Sequence, residues 1–253
     1  MNIVMIGAGN VATILGRKLQ LAGHTIVQIW SRQIENAVIL AKLVQASPTH
    51  LLTDITPDAD VYIIAVADTA IASIATQLKI NDKLVVHTAG AVSKYALQHV
   101  SENYGVLYPL QSLHKTNANI DITIPFLIDA NHQDALKTIE TLAKSVGTHV
   151  TIANEEDRLH LHVAAVFVNN FTNHLYALAN NYCNKYHVDF TILQPLIEET
   201  ALKIRHNTPQ NVQTGPAIRN DSATMTKHLQ ILATDEKLKF IYLKLSESIL
   251  AMK

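Results

Sequence analysis

The strongest constraint on this chain lies in its first twelve residues, MNIVMIGAGNVA. The apolar run 3–6 reads as a buried strand, and Gly7, Gly9 and Ala12 follow it at the spacing Gly-x-Gly-x-x-Ala. A strand that passes into a helix through such a turn is the opening of an α/β unit. Gly7 permits the tight turn, Gly9 lets backbone come close to a pyrophosphate, and Ala12 keeps helix and sheet packed together. The helix that follows would offer its first N–H groups, at Asn10 and Val11, to the phosphates. A glycine turn that binds nothing is the plainer alternative.

The alternation continues down the chain. Apolar runs at 25–30, 61–66, 84–87, 105–108 and 126–128 are spaced by helical patterns such as 11–21, 34–44 and 133–146, with a short strand pattern at 149–152. Strands interleaved with helices of about 10 to 15 residues predict a doubly wound, mainly parallel sheet. Near-continuous apolarity in the strands fits helices on both faces. The texture changes at Asn154, where NEED supplies an Asn cap and three acidic residues to a helix start, the place where the helix dipole favours negative charge. Residues 155–187 contain no glycine or proline, which predicts one long helix. Further helical patterns span 191–205, 222–233 and 236–251, broken only by NTPQNVQTGPAIRND. The fold expected is an α/β Rossmann domain over 1–153 followed by an all-α domain over 154–253.

Composition removes several functions. A net charge of −1 over 253 residues leaves no basic face for nucleic acid or an anionic membrane. The single cysteine, Cys183, excludes an internal disulfide framework and fits a reducing compartment. No apolar run approaches the roughly 18 residues of a membrane span, and a chain that enters a strand at once leaves no room for a signal peptide. A cytoplasmic protein is expected. His160 and His162 are two apart on different helix faces, and neither Cys-x-x-Cys nor His-Glu-x-x-His occurs, so no metal is expected. Gly-x-Ser-x-Gly and a phosphate loop ending Gly-Lys-Ser/Thr are absent too, against common hydrolases and kinases.

Cofactor choice is read after the second strand. An acid there would grip the ribose hydroxyls of NAD, but the sequence is IWSRQ, with Ser31, Arg32 and no carboxylate until Glu35. A hydroxyl and a guanidinium suit a 2′-phosphate, predicting NADP(H) over NAD(H) unless Arg32 is only a solvated loop residue. The strand at 61–66 ends on small residues, Ala65 and Val66, that could pass beside a ribose, and Asp68 is read as a helix cap. The next strand ends HTAG, placing Thr88, Ala89 and Gly90 at the ligand-binding carboxyl edge. His87 stands there as either a catalytic or a structural histidine.

Taken together, GAGNVA, WSR, HTAG, LYPLQSLH, AAVFVNNF and QTGPAIRND resemble, over nearly the whole chain, a specific bacterial group. These are Rossmann-like proteins with a C-terminal domain of unknown function, often labelled NADP oxidoreductases of deazaflavin-dependent type. The layout is more distantly similar to pyrroline-5-carboxylate reductase and β-hydroxyacid dehydrogenases. The resemblance implies an NADP-binding domain, a helical domain that dimerises, and a small-molecule substrate in the cleft between them. In β-hydroxyacid dehydrogenases a lysine precedes a functional asparagine by four residues. With Asn170 at the asparagine, the lysine's place holds Val166, which cannot move a proton. Imine or flavin-like reduction asks less, chiefly hydride placement and a proton from water or a polar side chain.

Asn170 would either hold the nicotinamide amide or a substrate carbonyl, or serve as a polar position in a helix contact. In TGPAIRND, Asp221 or Ser222 can cap a helix carrying Thr224 and His228, and Arg219 beside its start would bind a carboxylate or phosphate. The loop held only by its own caps is the alternative. His87, Tyr108, His114 and Lys115 are proton-donor candidates by location. The reading is an NADP(H)-dependent oxidoreductase passing a hydride to or from a small imine, carbonyl or deazaflavin-like substrate, anionic if Arg219 takes part. The alternative is a catalytically silent dinucleotide-binding sensor or assembly protein. Apolar residues on several sides of the helix over 161–178 predict a homodimer through the C-terminal domain.

Overall fold

The computed structural model describes residues 1–116 and 122–252. The chain divides into two compact units, Met1–Asn170 and Phe171–Lys253. The first holds strands β1 (Asn2–Ile6), β2 (Thr25–Trp30), β3 (Ser47–Thr49), β4 (Val61–Ile64), β5 (Asn81–His87), β6 (Ser101–Pro109), β7 (Pro125–Ala130) and β8 (His149–Ile152). Its helices are α1 (Asn10–Leu21), α2 (Ile34–Val44), α3 (Asp68–Ala75), α4 (Gln133–Val146) and α5 (Glu155–Ala165). All strands join one sheet in the order β3-β2-β1-β4-β5-β6-β7-β8. The first six are parallel in the Rossmann order; β7 turns antiparallel to β6, and β8 runs parallel to β7.

Strict alternation along the strands builds two cores. Ile3 and Met5 of β1, with Val61 and Ile63 of β4, face α1, α2 and α4 through Leu15, Leu40 and Ile139. Their neighbours Val4, Ile6, Tyr62 and Ile64 face the other way, onto Ile71 and Ile74 of α3. Both faces are therefore covered, and β1 and β4 read as continuous apolar runs because every residue has an oily neighbour.

Helix α5 begins on Asn154, whose side chain accepts a hydrogen bond from Asp157 N at 2.9 Å. The predicted single α-helix is corrected at one place: a π-helical segment, Val166–Phe171, separates α5 from α6 (Thr172–Lys185). Hydrogen bonds from i to i+5 change the register there, so Val166 and Asn170 do not stack as α-helical i, i+4 neighbours do. The two-unit boundary falls at the end of this segment.

The second unit continues with α7 (Gln194–Lys203), α8 (Ser222–Ile231) and α9 (Glu236–Leu250). Asp221 caps α8, accepting from Thr224 N at 3.0 Å, and Asp235 caps α9, accepting from Leu238 N at 3.0 Å. Among the described residues no helix is long and apolar enough to cross a membrane.

Candidate functional site

The sheet order reverses direction between β1 and β4, and at that point the connections leave a crevice beyond the strand ends. A cavity of about 790 Å³ fills it. Its walls come from the turn after β1 (Gly7 to Val11), the end of β2 (Trp30, Ser31, Arg32), the turn after β4 (Ala65, Val66, Ala67) and one side of α3. Backbone hydrogen bonds tie these ends together: Gly7 N donates to Trp30 O at 2.8 Å and Ala65 N to Ile6 O at 2.8 Å.

The two glycines do different work. At Gly7, with φ +132°, a Cβ would lie 2.1 Å from the carbonyl oxygen of Ala65, so the position excludes any side chain. At Gly9 a Cβ would meet nothing within 4 Å. That open space stands over the start of α1, which Gly9 caps without any side-chain hydrogen bond and with no acidic residue in its first turn. The first N–H groups of a helix have no intrahelical partner, and here they face the cavity with the positive dipole end. Anionic groups fit this cradle. Ser31 and the exposed Arg32 border the same cavity, while the buried Trp30 carries an indole Nε1 without a hydrogen-bond partner. Ala12, by contrast, is fully buried in the core and does not line the cavity.

The HTAG turn lies beyond the cavity wall. Thr88, Ala89 and Gly90 are buried and do not line the cavity, although Thr88 N donates to Ile64 O at 3.2 Å and so adjoins the end of β4. His87 is fully enclosed. Its Nε2 lies 3.3 Å from Ser93 O and its Nδ1 accepts from Ala89 N at 3.3 Å. With both nitrogens engaged, Nε2 carries the proton and donates. Burial pulls the His87 pKa down to about 4, so the ring is neutral at pH 7. A ring so placed shapes the 87–93 turn and presents no nitrogen to a substrate. Asp68, expected as a cap, is instead the first residue of α3, one position past the uncapped Ala67.

Two residues unremarked as site groups in the sequence complete this corner. Arg158 of α5 is fully buried; its Nε donates to Gly90 O at 3.0 Å and its Nη2 to Val92 O at 2.8 Å. Its Nη1 has no hydrogen bond and lies 3.9 Å from Asp129, whose other oxygen takes Lys94 at 2.8 Å. His162, one helical turn on, meets the hydroxyl of Tyr108 with its Nδ1 at 2.8 Å. The sequence signal for both was the i, i+4 spacing on α5, hidden because each partner is distant along the chain. Nearby, Lys115 N donates to Asn10 Oδ1 at 3.1 Å, which brings the segment after β6 to the glycine turn. His114 is engaged with Thr116 Oγ1 at 2.6 Å.

Asn170 is exposed at the end of the first unit, and Arg219 is exposed in the second. Arg219 lies near Asp221, whose carboxyl is held below its usual range chiefly by hydrogen bonds from Thr224 and also by that guanidinium. His228, on α8, is taken by Tyr242 at 2.9 Å. Among the described residues no group of three or more His, Cys, Asp or Glu is placed to hold a metal ion.

A Rossmann sheet whose switch-point crevice carries an open glycine cradle defines the class of dinucleotide-binding α/β proteins. The comparisons agree with it. Residues 2–90 match the family described as NADP oxidoreductase, coenzyme F420-dependent, and residues 124–249 match a domain of unknown function, DUF2520. A solved structure described as a putative NADP oxidoreductase, BF3122 from Bacteroides fragilis, is 39% identical over 99% of this chain and 98% of that one, with a TM-score of 0.92. The chain belongs to this family, in which an NADP-oxidoreductase-type Rossmann domain is joined to the DUF2520 domain. In fold alone it is similar to 1-pyrroline-5-carboxylate reductase from Streptococcus pyogenes (13% identity, TM-score 0.67, 99% of this chain and 98% of that one). An imine reductase from Myxococcus stipitatus in complex with NADP+ shares the fold as well (16%, TM-score 0.60, 99% and 92%). No curated protein matches the sequence.

Proposed function

We propose that the protein is an NADPH-dependent reductase of a small imine, carbonyl or deazaflavin-like substrate. The observation that carries this reading is Gly9, where the space a side chain would fill stands open above an uncapped helix start at the switch point of the sheet. Gly7, Gly9, Asn10 and Val11 would hold the pyrophosphate against the N–H groups of α1. Ser31 and Arg32, bordering the same cavity, would take the 2′-phosphate that distinguishes NADP from NAD. Ala65 and Val66 leave room for the nicotinamide ribose, with Thr88, Ala89 and Gly90 forming the floor behind them. When bound, NADPH supplies a hydride.

Val166 at the lysine position favours an imine or flavin-like acceptor over a hydroxy acid. Asn170 is assigned to the nicotinamide amide or a substrate carbonyl, and Arg219 to an anionic substrate group. His87 keeps its place in the reaction only by shaping the turn. We further propose that residues 1–153 act as the cofactor domain, that residues 154–253 serve substrate and dimer contacts, and that the homodimer works in the cytoplasm. The second reading, a silent NADP(H) sensor, is favoured by one observation: the histidine nearest the sheet edge has both nitrogens engaged internally.

Titration with NADPH and NADH, followed by nicotinamide fluorescence, tests the assignment. Selective NADPH binding is expected, and Arg32→Ala weakens NADPH by about 10- to 100-fold, the range for one charge-assisted hydrogen bond, with little change for NADH. Equal loss for both nucleotides overturns the 2′-phosphate role. Binding without turnover of any imine, ketone or deazaflavin selects the sensor.

A further inference from the structure

The corner beside the nucleotide cavity contains a hydrogen-bonded pair that the proposed function has not used. Tyr108 stands next to last in β6, and β6 lies beside β5, so its ring sits at the carboxyl edge of the sheet, where the parallel strands end. The hydroxyl of Tyr108 and Nδ1 of His162 are 2.8 Å apart, and both residues are half-buried. Gly90 makes the room: a Cβ there would lie 2.8 Å from Tyr108 Cζ and 3.0 Å from His162 Nδ1. Arg158, on the same face of α5 as His162, clamps the carbonyls of Gly90 and Val92 and so fixes the turn against the pair.

Gly90, against which the pair packs, belongs to the turn that starts at Thr88, and Thr88 N donates at 3.2 Å to the carbonyl of Ile64, the residue before the cavity-lining Ala65. Asp68, between the lining residues Ala67 and Thr69, acts by its charge on the Tyr108 phenol. Burial, with Asp68 from α3 acting in the same sense and Arg158 from α5 opposing, raises the Tyr108 pKa and keeps the phenol protonated at neutral pH. A neutral phenol at this edge of the sheet can give up a proton to a substrate held beside it.

Resting on the NADPH-reductase reading, we propose that Tyr108 is the general acid of the reduction and that His162 refills it. A hydride from NADPH adds to the carbon of a C=N or C=O bond, and the displaced π pair on the heteroatom takes the Tyr108 hydroxyl proton. The phenolate oxygen then takes the proton of His162 Nδ1, while Nε2 gains one from solvent, so the imidazole ends neutral in its other tautomer. The substrate gains a hydride and one proton, the proton is replaced from solvent through His162, and NADPH leaves as NADP+. This fills the proton-donor role left vacant by Val166 and by the enclosed His87.

The test uses the full-length protein, its Tyr108→Phe and His162→Gln variants, and 15N labelling of the histidine rings. All three proteins bind NADPH within about twofold, because neither residue lines the phosphate-holding cavity. Saturating wild type with NADP+ shifts the His162 ring resonances, and Tyr108→Phe moves Nδ1 away from its hydrogen-bonded value without nucleotide. With a cyclic imine or a ketone as acceptor, Tyr108→Phe lowers kcat by about 100-fold or more while KM stays within a few-fold, and His162→Gln lowers it by about tenfold. His162 resonances unmoved by bound NADP+, or an unchanged kcat in Tyr108→Phe, overturn the pair and leave the nucleotide reading standing. Failure of wild type to bind NADPH overturns that reading and the pair together. The NMR comparison needs no acceptor, and His162→Gln decides the matter if Tyr108→Phe does not fold.

Discussion

In the first unit Val4, Ile6, Tyr62 and Ile64 are wholly enclosed between sheet and helix, whereas in the second unit α7 and α8 bury none of their residues. Ile192, Leu196 and Phe240 of the second unit are 70%, 62% and 61% exposed. Among the described residues, the two interior clusters consist of residues from the first unit. A finished interior can hold a binding cradle in shape before a ligand arrives, since its turns are fixed by packing and by backbone contacts. Helices with large apolar residues in water have burial still to gain, and a second copy of the chain is the partner we propose for them.

The sharpest way to break this contrast is to disturb the finished unit at its tightest point. Gly7→Ala puts a methyl against the backbone carbonyl of Ala65, which cannot swing aside as a side chain can, at a φ that side chains rarely adopt. The expected cost is more than about 3 kcal/mol, seen as a lower midpoint in denaturant unfolding together with loss of NADPH binding. A variant as stable as wild type would show that the turn is far more yielding than its packing implies.

Next in size is a pH effect confined to the enclosed unit. The free histidine value is 6.5 and His87 in the fold is held to about 4. The unfolded chain therefore binds an extra proton between those values, so the His87 contribution is intact above pH 6.5 and is lost as pH falls to 4. The linked loss is about 3 kcal/mol. Denaturant unfolding of wild type and His87→Gln at pH 7.5, 5.5 and 4.5 isolates it, because other histidines cancel in the difference. The variant is expected to lose less stability on acidification. Parallel pH curves would mean that the ring reaches solvent.

The second unit predicts a smaller and different signature, a dependence on protein concentration. If two copies cover the exposed apolar side chains, each tenfold dilution lowers unfolding stability by about 1.4 kcal/mol, and light scattering at micromolar concentration gives twice the chain mass. The double variant Leu196→Glu, Phe240→Glu is expected to be a folded monomer, since both side chains already face water within one chain. A wild-type monomer would remove the proposed dimer.

Legibility in the sequence follows the same contrast. β1, β2 and α1 were visible because hydrophobic period and glycine turn agree locally, and the strand at 149–152 was found to the residue. The reversal at β7 was not visible, since strand direction is set by connections and pairing rather than by residue type. The π-helical segment in VFVNNF escaped for a related reason: its composition is compatible with an ordinary α-helix. Of the cavity lining, Gly7, Gly9, Ser31, Arg32, Ala65 and Val66 can be read from the sequence because each lies at or just past a strand end. His162 and Arg158 were not, because their partners Tyr108, Gly90 and Val92 lie more than 50 residues away in the chain.

The smallest expected change in stability belongs to Gly9, and it is the most informative about function. A methyl there meets no protein atom within 4 Å. Alanine is a poorer helix cap than glycine, but it also restricts the unfolded chain, so the two effects largely cancel and folding stability should move by less than about 1 kcal/mol. The methyl nevertheless stands in the space assigned to the pyrophosphate, so Gly9→Ala should weaken NADPH by more than about tenfold. Gly7→Ala would lose binding together with much of the unit's stability; Gly9→Ala would lose it with stability nearly unchanged. Unchanged affinity in a folded Gly9→Ala protein would mean that the open space above α1 is not where the phosphates lie.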